Sequence, residues 1–179
     1  PTFIGDFGAK GIWMSFFHSI SAFCNAGFDI MGTEDAKFAS ITSYLGNSVI
    51  NVTVMLLIVI GGIGFLTWED ICTNKLHFKR YRMQSKVILV TSALLILFPA
   101  LFFFFVDFAD MPMKERVLSS LFQSVTPRTA GFNTADLTAM TGAGQAIIIV
   151  LMLIGGSPGS TAGGMKTTTF AVLLATAFS

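Results

Sequence analysis

Two short segments of this chain hold small and polar residues where the useful chemistry belongs to the backbone. Asn25-Ala26-Gly27-Phe28 and Thr129-Ala130-Gly131-Phe132 share an Ala-Gly-Phe triplet, 104 residues apart. The segments that lead into them, Phe17-His18-Ser19 and Phe122-Gln123-Ser124, are 105 residues apart. A glycine after such a segment permits positive φ, which turns main-chain carbonyls to one side. Carbonyls that converge on an axis replace the hydration shell of a cation. One Ala-Gly-Phe would be an ordinary tight turn; two, each behind a short Ser/Thr-bearing segment, point to ion coordination. A cation at these carbonyls is the ligand expected, and no other cofactor.

A third stretch runs Gly155-Gly156-Ser157-Pro158-Gly159-Ser160-Thr161-Ala162-Gly163-Gly164, with Lys166 just beyond. Gly159 and Gly164 have the interval of a phosphate-binding G-x-x-x-x-G-K-[ST] loop, but Met165 separates Gly164 from the lysine, so the match fails. Catalysis has no constellation to use. His18, His77, Cys24 and Cys72 are isolated in sequence, and support neither a disulfide framework nor a metal cluster. His18 fits a hydrogen-bonded packing role better than a proton relay.

The elements that hold these segments are set by composition. Of 179 residues, 53% are hydrophobic, 12% are charged, and the mean hydropathy is +0.74. Soluble domains carry about 25% charged residues. A membrane protein is expected, with the lipid bilayer as its main partner. The net charge of +1 argues against nucleic acid. Residue 1 is Pro, so a piece of a longer chain is expected.

Residues 49–68 and 87–106 are uncharged for 20 positions each, the length that crosses a hydrocarbon core of about 30 Å. Five of the eleven Lys and Arg (Lys75, Lys79, Arg80, Arg82, Lys86) lie between them, which makes that loop cytoplasmic. Residues 117–127 are apolar, but as a helix would reach only about 16 Å. They must therefore enter and return, as the similar segment before Gly27 would. Such irregular backbone is tolerated at membrane depth only where it is buried or lines a wet cavity. A helix that dips in this way aims the negative end of its dipole at the axis, which attracts cations. The third apolar segment, from 146 onward, is too long for one span and is interrupted by Pro158 and five glycines.

The fold class is thus an all-α membrane protein of repeated helix, pore-loop, helix units, with a broken inner helix. Residues 1–68 form a re-entrant loop and inner helix, 69–86 the cytoplasmic loop, and 87–179 a complete second unit. The loops SAFCNAGFD and SVTPRTAGFNT, and above all the run GGSPGSTAGGMKTTT, resemble the Trk/Ktr/HKT superfamily of potassium transporters, most closely the pore subunit of bacterial Ktr-type systems. The resemblance covers essentially the whole chain. It implies four units around a pseudo-fourfold pore, of which this sequence looks like the second pore loop through the third unit. It also implies that Gly27 and Gly131, with their neighbours Asn25, Ala26, Phe28, Thr129, Ala130 and Phe132, build a selectivity filter, and that 155–164 is an intramembrane gating loop.

By the same resemblance the protein is a homodimer in the cell membrane, on a cytoplasmic ring of nucleotide-binding regulatory subunits. It would conduct potassium passively, with sodium as an alternative coupling or activating ion. An alternating-access carrier and a non-transporting regulatory subunit are the competing classes. Among the charges, Arg128 is expected to brace the second filter loop through an acid such as Asp136, or else to snorkel outward. Asp29 and Asp136 face the external mouth or are plain solvated acids. Lys166 contacts gate carbonyls, sets an electrostatic barrier, or reaches cytoplasmic water. Phe28 and Phe132 are expected to wedge their loops in place.

Overall fold

Long apolar runs without alternation favour helices, and the computed structural model is helical throughout. The structure describes residues 2–32, 34, 39–75 and 77–178. Its helices are α1 (Thr2–Phe7), α2 (Ala9–Phe23), α3 (Ser48–Ile63), α4 (Phe65–Asn74), α5 (Met83–Phe102), α6 (Met113–Val125), α7 (Gly142–Leu153) and α8 (Thr167–Ala177).

The two helices that precede the Ala-Gly-Phe triplets are α2, of 15 residues, and α6, of 13. At 1.5 Å per residue each reaches roughly 20 Å, short of a crossing. Both end by the same device. Ser21 Oγ donates to the Phe28 carbonyl and Thr126 Oγ1 to the Phe132 carbonyl, each at 2.7 Å. The Ser21 and Thr126 carbonyls in turn accept from Ala26 N and Gly131 N, each at 2.9 Å. One residue of each helix thus staples the loop that follows. The first loop is the longer of the two by one residue.

Asn47 starts α3, its side chain accepting from Val49 N and Ile50 N. The expected single inner helix over 49–68 is instead two helices, α3 and α4, bent by 98°. The cause is Gly61-Gly62-Ile63-Gly64. Gly64 has φ 95, and a Cβ there would lie 2.6 Å from the Pro158 carbonyl oxygen. Beyond the bend, Trp68 Nε1 donates to the Ile60 carbonyl at 2.9 Å, recovering an acceptor that the break had freed.

The span expected at 87–106 is present and longer. α5 continues through a π-helical turn, Phe103–Asp107, to give 25 residues over Met83–Asp107. It is the one helix among the described residues that is alone long and apolar enough to cross a membrane. Its exposed residues Leu94, Phe98, Leu101 and Phe105 recur at helical spacing. An apolar stripe of this kind suits lipid and not water. Arg116 Nε donates to the Phe104 carbonyl at 2.7 Å, anchoring α6 to the π-helical turn.

The main core lies between α1, α2, α3 and α6, with Met14, Ile50, Val54, Ile58, Phe122 and Phe132 buried together. It fixes the two short helices against the inner helix, and so fixes both loops. The break expected in the third segment separates α7 from α8, and residues 154–166 fill it as irregular backbone with one isolated bridge, Ile154 to Met165.

A test of the bend follows from Gly64. In the complete protein, Gly64→Ala meets a backbone oxygen at a φ that L residues avoid, at a cost of about 1–3 kcal/mol. Gly5→Ala, in α1 with open space around it, is expected to be neutral or slightly stabilising. Thermal unfolding midpoints of the two variants in detergent check the difference.

Candidate ion pathway

The residue types that tolerate a left-handed backbone are placed where it is used. Asn25 (φ 53) and Gly27 (φ 69) in the first loop match Thr129 (φ 77) and Gly131 (φ 88) in the second. Positive φ at every second residue stops successive carbonyls from alternating in direction. Asn adopts this region with little penalty, whereas β-branched Thr129 is a strained outlier. The carbonyls of Asn25, Ala26 and Gly27, and those of Thr129, Ala130 and Gly131, accept no hydrogen bond among the described residues. Six such acceptors in two matched loops are of the type that can coordinate a cation.

The loops touch one another. A Cβ on Gly27 would overlap the Ala130 carbonyl, whereas one on Gly131 would meet nothing within 4 Å. Behind this contact, Ile41 N donates to the Asn133 carbonyl at 3.2 Å and Asn133 N to Ser40 Oγ at 3.1 Å. A cavity of about 730 Å³ opens on the loops, lined by Gly27, Asp29, Ser40, Gly131 and Asn133 among others.

The glycine-rich run docks into the α3/α4 break. Ser157 N donates to Gly62 O at 2.9 Å and Thr161 N to Gly61 O at 3.2 Å, while Phe65 N donates to Gly159 O at 3.0 Å. Each break therefore satisfies the other's freed backbone groups. The run also reaches the filter loops. Thr161 Oγ1 lies 2.9 Å from the Phe23 carbonyl at the end of α2, and accepts from Asn25 Nδ2 at 3.2 Å. Asn25, Gly62, Arg128 and Gly156 share the wall of a cavity of about 20 Å³, room for one water. Within the run, Ser160 Oγ donates to the Ser157 carbonyl, and Ser157 Oγ meets Thr167 Oγ1.

The charged residues separate into those that join this assembly and those that do not. Arg128 and Asp136 do not pair. Asp136 caps the turn Leu137–Ala139, its Oδ1 accepting from Thr138 N at 2.9 Å and Thr138 Oγ1 at 2.6 Å. Those two bonds hold its carboxyl below the usual carboxylate range. Arg128 turns instead toward the glycine-rich run, its Nη2 lying 3.5 Å from the Gly155 carbonyl. Asp29 lines the open cavity, as expected of a mouth residue, and Asp136 does not. Of the three alternatives for Lys166, the structure has the contact with the run: its Nζ donates to Ala162 O at 2.8 Å.

His18 is a packing residue. Its Nδ1 lies 2.7 Å from the Met14 carbonyl, which can only accept, and its Nε2 accepts from Ile30 N. Phe132 is buried as a wedge, whereas Phe28 is 70% exposed, because no described element lies over the first loop. Cys24 and Cys72 are free and exposed. Sequence reasoning missed the α3/α4 break, although three glycines within four residues stood in plain view inside the apolar run.

These observations match what comparison with known proteins finds. The profile of the TrkH family, described as a cation transport protein, matches residues 3–104 and 83–178. The potassium/sodium uptake protein NtpJ of Enterococcus hirae is 43% identical over 178 residues, covering 96% of this chain and 38% of that protein. The Ktr system potassium uptake protein B of Bacillus subtilis is 34% identical over 172 residues, covering 93% of this chain and 37% of that protein. In fold, the potassium transporter TrkH of Vibrio parahaemolyticus superposes with a TM-score of 0.71 at 24% identity, covering 90% of this chain and 34% of the other. The chain spans little more than a third of the length of these relatives. With two stapled loops, a broken helix and a family profile along nearly its whole length, the chain belongs to the TrkH family of cation transport proteins.

Proposed function

We propose that the complete protein takes up potassium by passive conduction through a filter of backbone carbonyls, gated by residues 155–164. The observation that carries this function is the set of six unbonded carbonyls beside Gly27 and Gly131. Carbonyls without a protein partner have their lone pairs free for a cation, and a dehydrated monovalent cation would engage both loops at once. Asp29, at the cavity mouth, would raise the local cation concentration. The run 155–164 is bonded to Phe23 and Asn25 of the first loop and reaches Arg128 of the second. Passage would require it to move.

The relatives' names supply the ion. One is a potassium/sodium uptake protein and others are potassium uptake proteins of Ktr systems, so sodium remains the alternative permeant or activating ion. We further propose a homodimer in the cell membrane on a cytoplasmic ring of nucleotide-binding regulatory subunits, for which the exposed basic residues Lys79, Arg80 and Arg82 form a fitting contact. Pairs of broken helices also build carrier sites, so flux at carrier rates would favour alternating access over a pore.

Potassium and sodium uptake by the complete protein test the filter. Gly131→Ser meets the strain of positive φ, about 1–3 kcal/mol, and by displacing the adjacent carbonyls is expected to lower potassium over sodium discrimination. Gly27→Ser adds a clash with Ala130 and is expected to lose more. Unchanged uptake and selectivity in both variants would point to a non-transporting subunit. For the gate, Thr161→Val removes the hydroxyl that joins α2, Asn25 and the run. Potassium uptake should rise at least a few-fold in Thr161→Val, and Thr161→Ser should restore the original rate.

A further inference from the structure

α4 carries a buried acid that neither the filter nor the gate uses. Asp70 is 5% exposed, yet it stands at the end of the apolar chain that bears the basic loop. Its Oδ2 accepts from Ser85 Oγ at 2.6 Å and from Arg82 N at 3.1 Å, and Arg82 Nε lies 3.7 Å from Oδ1. Ser85 is itself 2% exposed. Asp70 thus ties α4 to the first turn of α5, across the loop that joins them. By contrast the neighbouring pair Glu69–Arg82, at 3.0 Å, is more than half exposed on both sides and holds little.

The other end of α4 is inside the gate. Phe65 N, the first amide of the helix, donates to Gly159 O, and Gly64 sits against Pro158. Trp68 closes the bend by its bond to Ile60. Between Phe65 and Asp70 α4 advances five residues, about 7.5 Å. It is short, hydrogen-bonded throughout and fixed at both ends, so a shift at Asp70 moves Phe65 as a unit.

We propose that Asp70 is a positioning residue for the gate: by fixing α4 against the start of α5, it holds the Phe65 amide where it secures Gly159 and keeps residues 155–164 closed. This inference rests on the reading of 155–164 as the gate. Any partner that pulls on the loop between α4 and α5 would then act on the gate through this latch, at a distance from the filter.

The test uses the complete protein in proteoliposomes, on a cysteine-free background carrying Ser160→Cys. Two rates are read, modification of that cysteine by a water-soluble maleimide and potassium flux. Asp70→Asn and Ser85→Ala are each expected to raise both rates about 5-fold or more, in the range of ordinary coupling between sites, while Glu69→Gln leaves both unchanged. Should Asp70→Asn fail to fold, Ser85→Ala carries the test alone. If Thr161→Val raises both rates and the latch variants raise neither, the inference about Asp70 is wrong and the gate stands. If Thr161→Val speeds modification without changing flux, the loop is not a gate, and the inference falls with it.

Discussion

Two interruptions of helix, each impossible alone, satisfy each other. At Gly61–Gly64 the bend between α3 and α4 frees backbone carbonyls and an amide, and at 155–164 the gap between α7 and α8 frees more. In hydrocarbon an unpaired backbone group costs several kcal/mol. Ser157 N, Thr161 N and Phe65 N make three bonds across the junction and satisfy Gly62 O, Gly61 O and Gly159 O. Close approach is required on both sides, which is why small residues fill both segments. The loops around Gly27 and Gly131 depend on the same junction, because α3 packs on α2 and α6 and thereby fixes where both loops sit.

The junction also limits how the chain can move. Releasing residues 155–164 breaks about three backbone bonds and the side-chain bonds of Thr161. Each is worth about 0.5–1.5 kcal/mol net, and water entering the opened path recovers part of that. The docked arrangement of the run is then favoured by a few kcal/mol, and on the proposed gating reading a ligand or partner with different affinities for two states would reverse that gap. A continuous helix in place of either break would remove the mobile element. Unmatched breaks would fail for lack of bonding partners.

Much of this was legible in the sequence, because the governing constraints are local. The short non-spanning helices α2 and α6, the paired loops around Gly27 and Gly131, the break at 155–164 and a spanning helix over 87–106 follow from apolar run length and the positions of glycine. What escaped were tertiary choices. Gly61, Gly62 and Gly64 lie inside an uncharged run of spanning length, and periodicity does not distinguish a glycine that packs from one that bends. Arg128 was expected to find the acid nearest in sequence, Asp136, but that carboxylate is used by its own turn, and the carbonyl of Gly155, 27 residues on, is what the guanidinium reaches. Phe28 and Phe132 share the preceding Ala-Gly yet have opposite exposure, since only the second has a neighbouring segment, Ser40 and Ile41, against its loop. Asp70 gave no signal at all: an Asp beside a Glu near a basic loop reads as solvated charge until the fold buries it.

The most direct measurement of the central claim is the location of a heavy potassium analogue in the complete protein. Thallium or rubidium, located by anomalous scattering, should give its strongest peak among the carbonyls of Asn25, Ala26 and Gly27 and those of Thr129, Ala130 and Gly131, with occupancy that falls when sodium replaces potassium's analogue in the buffer. A structure that holds the ion elsewhere, with those carbonyls bonded only to water or protein, would contradict the account.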